Sequence, residues 1–274
     1  MIKAKGKTYS DKNINEDVYY ISDSCVFVMD GATGLSNNTV MSEDDAYWFV
    51  NRMKEEIVKR LNIPFVDMIK ESIEVIQKEY KLDVNTLNKK DMPSACLSLF
   101  RERNGYIEYL GLGDSVGIVE LNNAKTEVYY DKGVEILDHK AIEKMNALSK
   151  KYDKAFLETR KYVNEDLLNN RNLRNTKEGF YALDLTLDCL NGMIIKRWKI
   201  KEVKMIACMS DGFYQLLSFK NMDLWELLNS MENNLDELFL KLYEYQKLDA
   251  DCIKVPRLKI RDDTTAVIGR IYNE

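Results

Sequence analysis

Residues 17–30, DVYYISDSCVFVMD, hold two runs of β-branched and aromatic residues divided by Ser-Asp-Ser, and they read as two short strands joined by a turn. The second run ends on Asp30 and Gly31, so an apolar strand delivers a carboxylate at a sheet edge, beside a residue whose backbone turns freely. Beyond it the period changes. SEDDAYWFVNRMKEEIVKRL, residues 42–61, opens with Ser42 as N-cap and acids in the first turn, then repeats apolar residues at helical spacing. FVDMIKESIEVIQKEYKL, residues 65–82, does the same after Pro64, and the two predict an antiparallel helical hairpin laid on the sheet.

Strands then return. ACLSLFRER, GYIEYLGLGDSVGIVEL and TEVYY, between residues 95 and 130, predict an antiparallel meander with Gly113-Asp114-Ser115 in a hairpin-like turn. Residues 138–175 are polar and become Asn-rich, which predicts one or two exposed helices forming a flap inserted around 138–178. Its basic residues, including Lys150, Lys151, Lys154, Arg160 and Lys161, alternate with acids as on a solvated helix face. GFYALDL, MIIKRWKIKEV and MIACMS read as strands, SDGFYQLLS and MDLWELLNSMENNLDELFLKLYEYQKL as helices, and DDTTAVIGRI as a closing strand. Strands and helices come in blocks with no Pro/Gly/Ser linker, so the expectation is one α+β domain over residues 1–274.

Composition removes several function classes. The 274 residues are 45% hydrophobic and 31% charged with a net charge of -5, which excludes a disordered or collagenous chain and gives no basic footprint for nucleic acid or a membrane surface. No apolar run approaches the roughly 18 residues of a membrane span, and the N-terminus lacks a signal-peptide core. The expectation is a soluble, cytoplasmic protein. Its five cysteines, odd in number and widely spaced, read as reduced core thiols. With a single histidine, His139, and no CxxC, the chain lacks a zinc ligand set, and His139 reads as a surface residue of a polar helix. Trp48, Phe49 and Tyr245 read as core packing, and Met205 to Met209 as a buried strand.

Acidic clusters stand at the ends of the predicted strands: Asn15-Glu16-Asp17, Asp30-Gly31, Ser210-Asp211-Gly212 and Asp262-Asp263, with Gly113-Asp114-Ser115 in the turn. Each alone is an ordinary turn sequence. Convergent carboxylates, however, are tolerable only when cations neutralise them, and an all-oxygen set selects hard divalent ions such as magnesium or manganese.

The succession K-x-x-N-E-D, V-F-V-M-D-G, L-G-D-S, C-M-S-D-G and R-D-D-T-T-A-V resembles the metal-dependent serine/threonine protein phosphatases of type 2C, in the family's order and over nearly the whole chain. Bacterial members look most similar. The resemblance implies a central β-sandwich of two antiparallel sheets flanked by helical hairpins, a four-layer αββα arrangement. It implies that Asp30 bridges two metal ions, with the Gly31 carbonyl completing one site, Glu16 binding the second ion, and Asp211 and Asp262 the first. Asp17 would orient the attacking water, Lys12 would bind substrate phosphate, and Asp263 stands where the family usually has Asn.

The implied activity is hydrolysis of phosphoserine or phosphothreonine in proteins by a metal-bridging hydroxide, opposite a cognate serine/threonine kinase. Phosphate monoesters are stable anions, and two ions about 4 Å apart can neutralise charge, lower the pKa of water and align the attack.

Four positions depart from the family pattern. Lys12 replaces Arg and loses the bidentate fork; Ala32 stands where some members carry His; Val116 follows Gly-Asp-Ser in place of Arg; and Gln215 stands four after Asp211 where Asp is usual. Asp114 alone would hold a third ion weakly or not at all. The alternatives are a catalytically weak phosphatase-fold protein that binds a phosphoprotein or regulator, and an enzyme acting on a small phosphate ester. Four clustered carboxylates speak against a mere binding module.

Overall fold

The structure, a computed structural model, describes residues 1–34, 40–41 and 44–272. Two sheets form its centre. One orders β1 (Ile2–Tyr9), β11 (Thr264–Ile271), β10 (Val203–Met209), β6 (Val116–Leu121) and β7 (Thr126–Tyr129) side by side. The other orders β2 (Asp17–Ile21), β3 (Cys25–Ala32), β4 (Ser94–Arg103), β5 (Tyr106–Leu112) and β9 (Ile194–Lys199), with the two-residue β8 (Leu183–Asp184) on β4. Every pairing in both sheets is antiparallel.

The apolar runs lack strict alternation because their strands are covered on both faces. In β3, Val26 and Val28 point between the sheets toward Phe100, Tyr109, Ile206 and Val267. Cys25, Phe27 and Met29 point outward against Phe49, Met53 and Ile57 of α1 (Asp45–Lys59) and Met68 and Ile73 of α2 (Phe65–Glu79). On the other outer face, Met205, Ala207 and Met209 of β10 meet Leu228, Met231 and Phe239 of α7 (Leu224–Leu248). Each such side chain contributes about 1.5–3 kcal/mol of burial. The predicted αββα sandwich is thus observed, with the expected hairpin α1–α2 on one face.

Local differences have physical causes. Ser42 lies outside the described residues, and the cap of α1 is Asp44, whose carboxylate accepts from the Tyr47 N–H at 2.9 Å. β1 was not among the expected strands; its Lys3, Lys5 and Lys7 alternate with Ala4 and Gly6, and Lys5 and Lys7 reach Glu232 and Asp236 of α7. GFYALDL forms a ladder only at Leu183 and Asp184, and SDGFYQLLS divides into α5 (Asp211–Tyr214) and α6 (Leu216–Lys220). The polar segment holds α3 (Gly133–Tyr152), a 3-10 stretch Phe156–Val163 and α4 (Asn164–Asn172), around a small core of Ala141, Met145, Phe156, Val163 and Cys252.

The expected meander is corrected. β5 and β6 lie in different sheets, because Leu112 belongs to the α1–α2 core and Val116 to the α7 core, so the chain leaves one sheet for the other between them. Gly113 makes the crossing at φ +73°, where an added Cβ would stand 2.2 Å from Cys96 Sγ. Gly113→Ala combines a left-handed penalty with overpacking and is expected to lower unfolding free energy by about 2–5 kcal/mol. Denaturant unfolding measures this directly, and a midpoint equal to the parent's would contradict the assignment.

Candidate metal centre

Strand pairing brings the acidic clusters together. Asp17 and Asp30 occupy directly opposed positions in the β2–β3 register. One step on, the Gly31 N–H donates to the Glu16 carbonyl at 3.1 Å, and a Cβ at position 31 would lie 2.5 Å from that oxygen, so the turn admits only glycine. Asp211 opens α5 directly after β10, and Asp262 and Asp263 directly precede β11. β10 and β11 are partners, and the Ser210 N–H donates to Thr265 O at 3.0 Å. Ends of strands from both sheets therefore deliver carboxylates to one place.

Their electrostatics show the convergence. Burial, then the charges of Asp17, Asp211, Asp262 and Asp114, hold the Asp30 carboxyl well above the usual carboxylate range. Burial does the same at Asp17, against an opposing pull from the nearby Thr265 and Ser210 side chains; it is 3% exposed, and neither of its side-chain oxygens has a partner at hydrogen-bonding geometry among the described residues. Burial and Asp262 raise Asp211, against an opposing pull from Lys259, and its buried Oδ1 also lacks a hydrogen bond. Burial and Asp211 push Asp114 up to about 7. Orphaned carboxylate oxygens facing like charges are costly unless a cation completes them.

The remaining predicted residues are tied down differently. Glu16 accepts from the Thr33 N–H at 3.2 Å and the Thr33 hydroxyl at 2.7 Å, and its other oxygen is ion-paired with Lys12. Burial pulls Lys12 down, but Glu16 and Asp263 more than reverse this and hold its ammonium above the usual lysine range. Asp263 is buried and accepts from Ser10 Oγ at 2.5 Å, the Glu16 N–H at 3.0 Å and Lys12 at 3.1 Å. It braces the loop that carries Glu16, a structural task that an acceptor at this position performs. Asp262 is ion-paired with Lys259. Gln215, at the α5–α6 junction, has a buried Oε1 without a hydrogen bond.

Thus Asp17, Asp30, Asp211, Asp262 and Asp114 share one electrostatic neighbourhood, with the Gly31 backbone beside them, while Glu16 and Lys12 face each other at its edge. Among the described residues no three His, Cys, Asp or Glu side chains are closed into a coordination cage. The donor set still fits hard divalent cations in kind: it is all oxygen and includes buried, unpartnered carboxylate atoms. Asp30, Asp211 and Asp262 could hold one ion, and Asp30 with the Gly31 carbonyl and Glu16 a second.

Three residues near the site were not singled out from the sequence. Asp138 of α3 is raised to about 6 by burial and then by Asp211. Arg171 of α4 donates to Thr33 O at 2.8 Å. Lys259 carried a faint signal, standing three residues before Asp262; Asp138 and Arg171, inside polar helical sequence, carried none. His139 is exposed, 3.5 Å from Glu143, as its setting predicted. A cavity of about 640 Å³ lies between α2 and Leu185–Leu187, and none of the site carboxylates lines it.

The structure is similar to that of the serine/threonine phosphatase Stp1 from Staphylococcus aureus, with a TM-score of 0.57 over 100% of this chain and 96% of that one, at 13% identity. The chain has the fold of the bacterial serine/threonine phosphatases. PppA, a regulatory component of the T6SS in Pseudomonas aeruginosa, covers 99% of the chain and 98% of its own at TM-score 0.53 and 15% identity. The catalytic domain of the serine/threonine protein phosphatase PstP, solved in complex with two manganese ions, covers 99% of both chains at TM-score 0.51 and 11% identity. No protein-family model and no curated protein matches the sequence. The likeness to these phosphatases therefore rests on architecture.

Proposed function

We propose that the chain is a single catalytic domain, with residues 138–178 as its flap, that hydrolyses phosphoserine and phosphothreonine in proteins with the help of divalent cations. The observation that carries this reading is the juxtaposition of Asp17 and Asp30 across β2–β3, beside Asp211, with both Asp17 oxygens and Asp211 Oδ1 buried and lacking a hydrogen-bond partner among the described residues. The two manganese ions of PstP, a protein of the same fold, support manganese or magnesium as the partners of these oxygens. Bound divalent cations would supply charge neutralisation and a water of lowered pKa.

The chain's own residues account for the rest. Asp30 and Asp211 fix the reacting centre on rigid strand ends, and so limit the reorganisation that attack requires. Asp17, locked opposite Asp30, orients the attacking water. Lys12 presents a positive charge to the phosphoryl oxygens from the loop between β1 and β2, while Asp263 and Glu16 hold that loop in place. A phosphorylated protein as substrate and a cognate kinase as counterpart follow from this activity. The five cysteines are free thiols, which suits a cytoplasmic setting, and among the described residues no helix is long and apolar enough to cross a membrane.

Hydrolysis of an aryl phosphate and a phosphothreonine peptide, with manganese and with chelator, tests the reading. Turnover should require the metal, and equal rates in chelator would refute it. Lys12→Arg should lower KM several-fold, because guanidinium contacts phosphate with two parallel donors. A raised KM would show that Lys12 does not meet phosphate.

A further inference from the structure

Lys259 occupies the loop before β11, three residues ahead of Asp262, and its ammonium is ion-paired with Asp262 Oδ2. Its side chain is 53% exposed while Asp262 is 14% exposed, so a solvent-reaching arm leads to a sheltered carboxylate. Its charge is also felt at Asp211 and Asp138. Lys12 has the same arrangement elsewhere in the site: 46% exposed and paired with Glu16 and Asp263. A third cation, Arg171, is committed to the Thr33 carbonyl. Of these, Lys12 and Lys259 both rest on carboxylates assigned to ions.

We propose that Lys259 is a second phosphate-binding residue of this site, free for that task once Asp262 is engaged as a ligand. The inference rests on the phosphatase reading above. A carboxylate oxygen that serves a divalent ion has little left for an ammonium, and Lys259 keeps three donors on a flexible four-carbon stem. Lys259 stands at the carboxylates that would hold divalent ions, and a phosphate dianion drawn to such ions would meet its ammonium there. Lys12 is a point charge without the planar two-donor fork of an arginine; Lys259 would add a second cationic contact from a different loop. The same contact makes Lys259 a tethered competitor for Asp262.

The full chain, its Lys259→Met variant and its Lys259→Arg variant decide the matter. Calorimetry should show manganese binding several-fold tighter in Lys259→Met, because the competing ammonium is gone. Inorganic phosphate should bind the manganese-loaded Lys259→Met protein about tenfold more weakly, the loss of one charge-assisted contact. KM for a phosphothreonine peptide should rise by a similar factor with a much smaller change in kcat. Lys259→Arg should restore phosphate binding. Unchanged phosphate affinity in Lys259→Met, or manganese bound more weakly there, would overturn the proposal and leave Lys259 a brace for Asp262. If the parent binds manganese and phosphate but hydrolyses nothing, the phosphatase reading falls while the phosphate measurement still decides the role of Lys259.

Discussion

Asp30→Asn is expected to abolish metal-dependent hydrolysis and, at the same time, to raise the melting temperature of chelator-treated protein. The two effects have one cause. Asp30 faces Asp17 across the β2–β3 ladder and shares its surroundings with Asp211, Asp262 and Asp114, all of like charge. Carboxyls set directly opposite on adjacent strands must either repel one another or take up a proton, each at a cost to folding, and an amide of the same shape removes that cost. The gain should be about 1–2 kcal/mol, or about 2–8 °C in a chain of this size. The parent should recover more than this when manganese is added, about 2.7 kcal/mol at a hundredfold excess over the dissociation constant. Asp30→Asn should show little such recovery, and its turnover should fall at least about a thousandfold. Calorimetric melting with and without manganese, beside a rate measurement, reads all three quantities. A lower melting temperature in chelator would mean that Asp30 is satisfied within the protein and has no need of a cation.

This opposition between stability and activity explains what the sequence could and could not reveal. Covered strands such as CVFVMD and MIACM announce themselves by unbroken apolar runs, and α1 and α2 by helical spacing; composition of that kind is set by burial on both faces. The Asp-Gly and Asn-Glu-Asp clusters were legible because a carboxylate at the end of an apolar strand breaks the local pattern. β1 was not legible, since an edge strand bearing Lys3, Lys5 and Lys7 on one face looks like solvated chain until α7 supplies its partners. Nor was the crossing at Gly113, because a hairpin and a passage between sheets use the same turn residues; only the destinations of Leu112 and Val116 separate them. Asp138 and Arg171 reach the site through the tertiary placement of polar helices, and helix periodicity contains no record of that placement.

The placement itself depends on a buried ion pair, and the second large effect is predicted there. Arg174 and Asp184 are both fully buried, with Nε donating to Oδ2 at 2.9 Å. Arg174 also donates to Lys89 O at 2.6 Å, and Asp184 accepts from Asn175 at 2.9 Å and from the Thr186 hydroxyl at 2.7 Å. Removing either partner leaves an uncompensated charge without water, so Arg174→Met and Asp184→Asn should each cost about 3–5 kcal/mol. The double variant should cost clearly less than the sum, because the second change removes the charge that the first one stranded. The loss should also be felt at the carboxylates. Arg174 ends the segment that carries α4, and from α4 Arg171 donates to Thr33 O, whose own N–H and hydroxyl hold Glu16. Arg174→Met should therefore weaken manganese binding and expose the 133–172 segment to limited proteolysis well below the unfolding midpoint. Denaturant unfolding of the two single variants and the double one measures the coupling. Strictly additive losses would show that the pair is not the pin, and unaltered manganese affinity in Arg174→Met would show that this helical segment stands apart from the site.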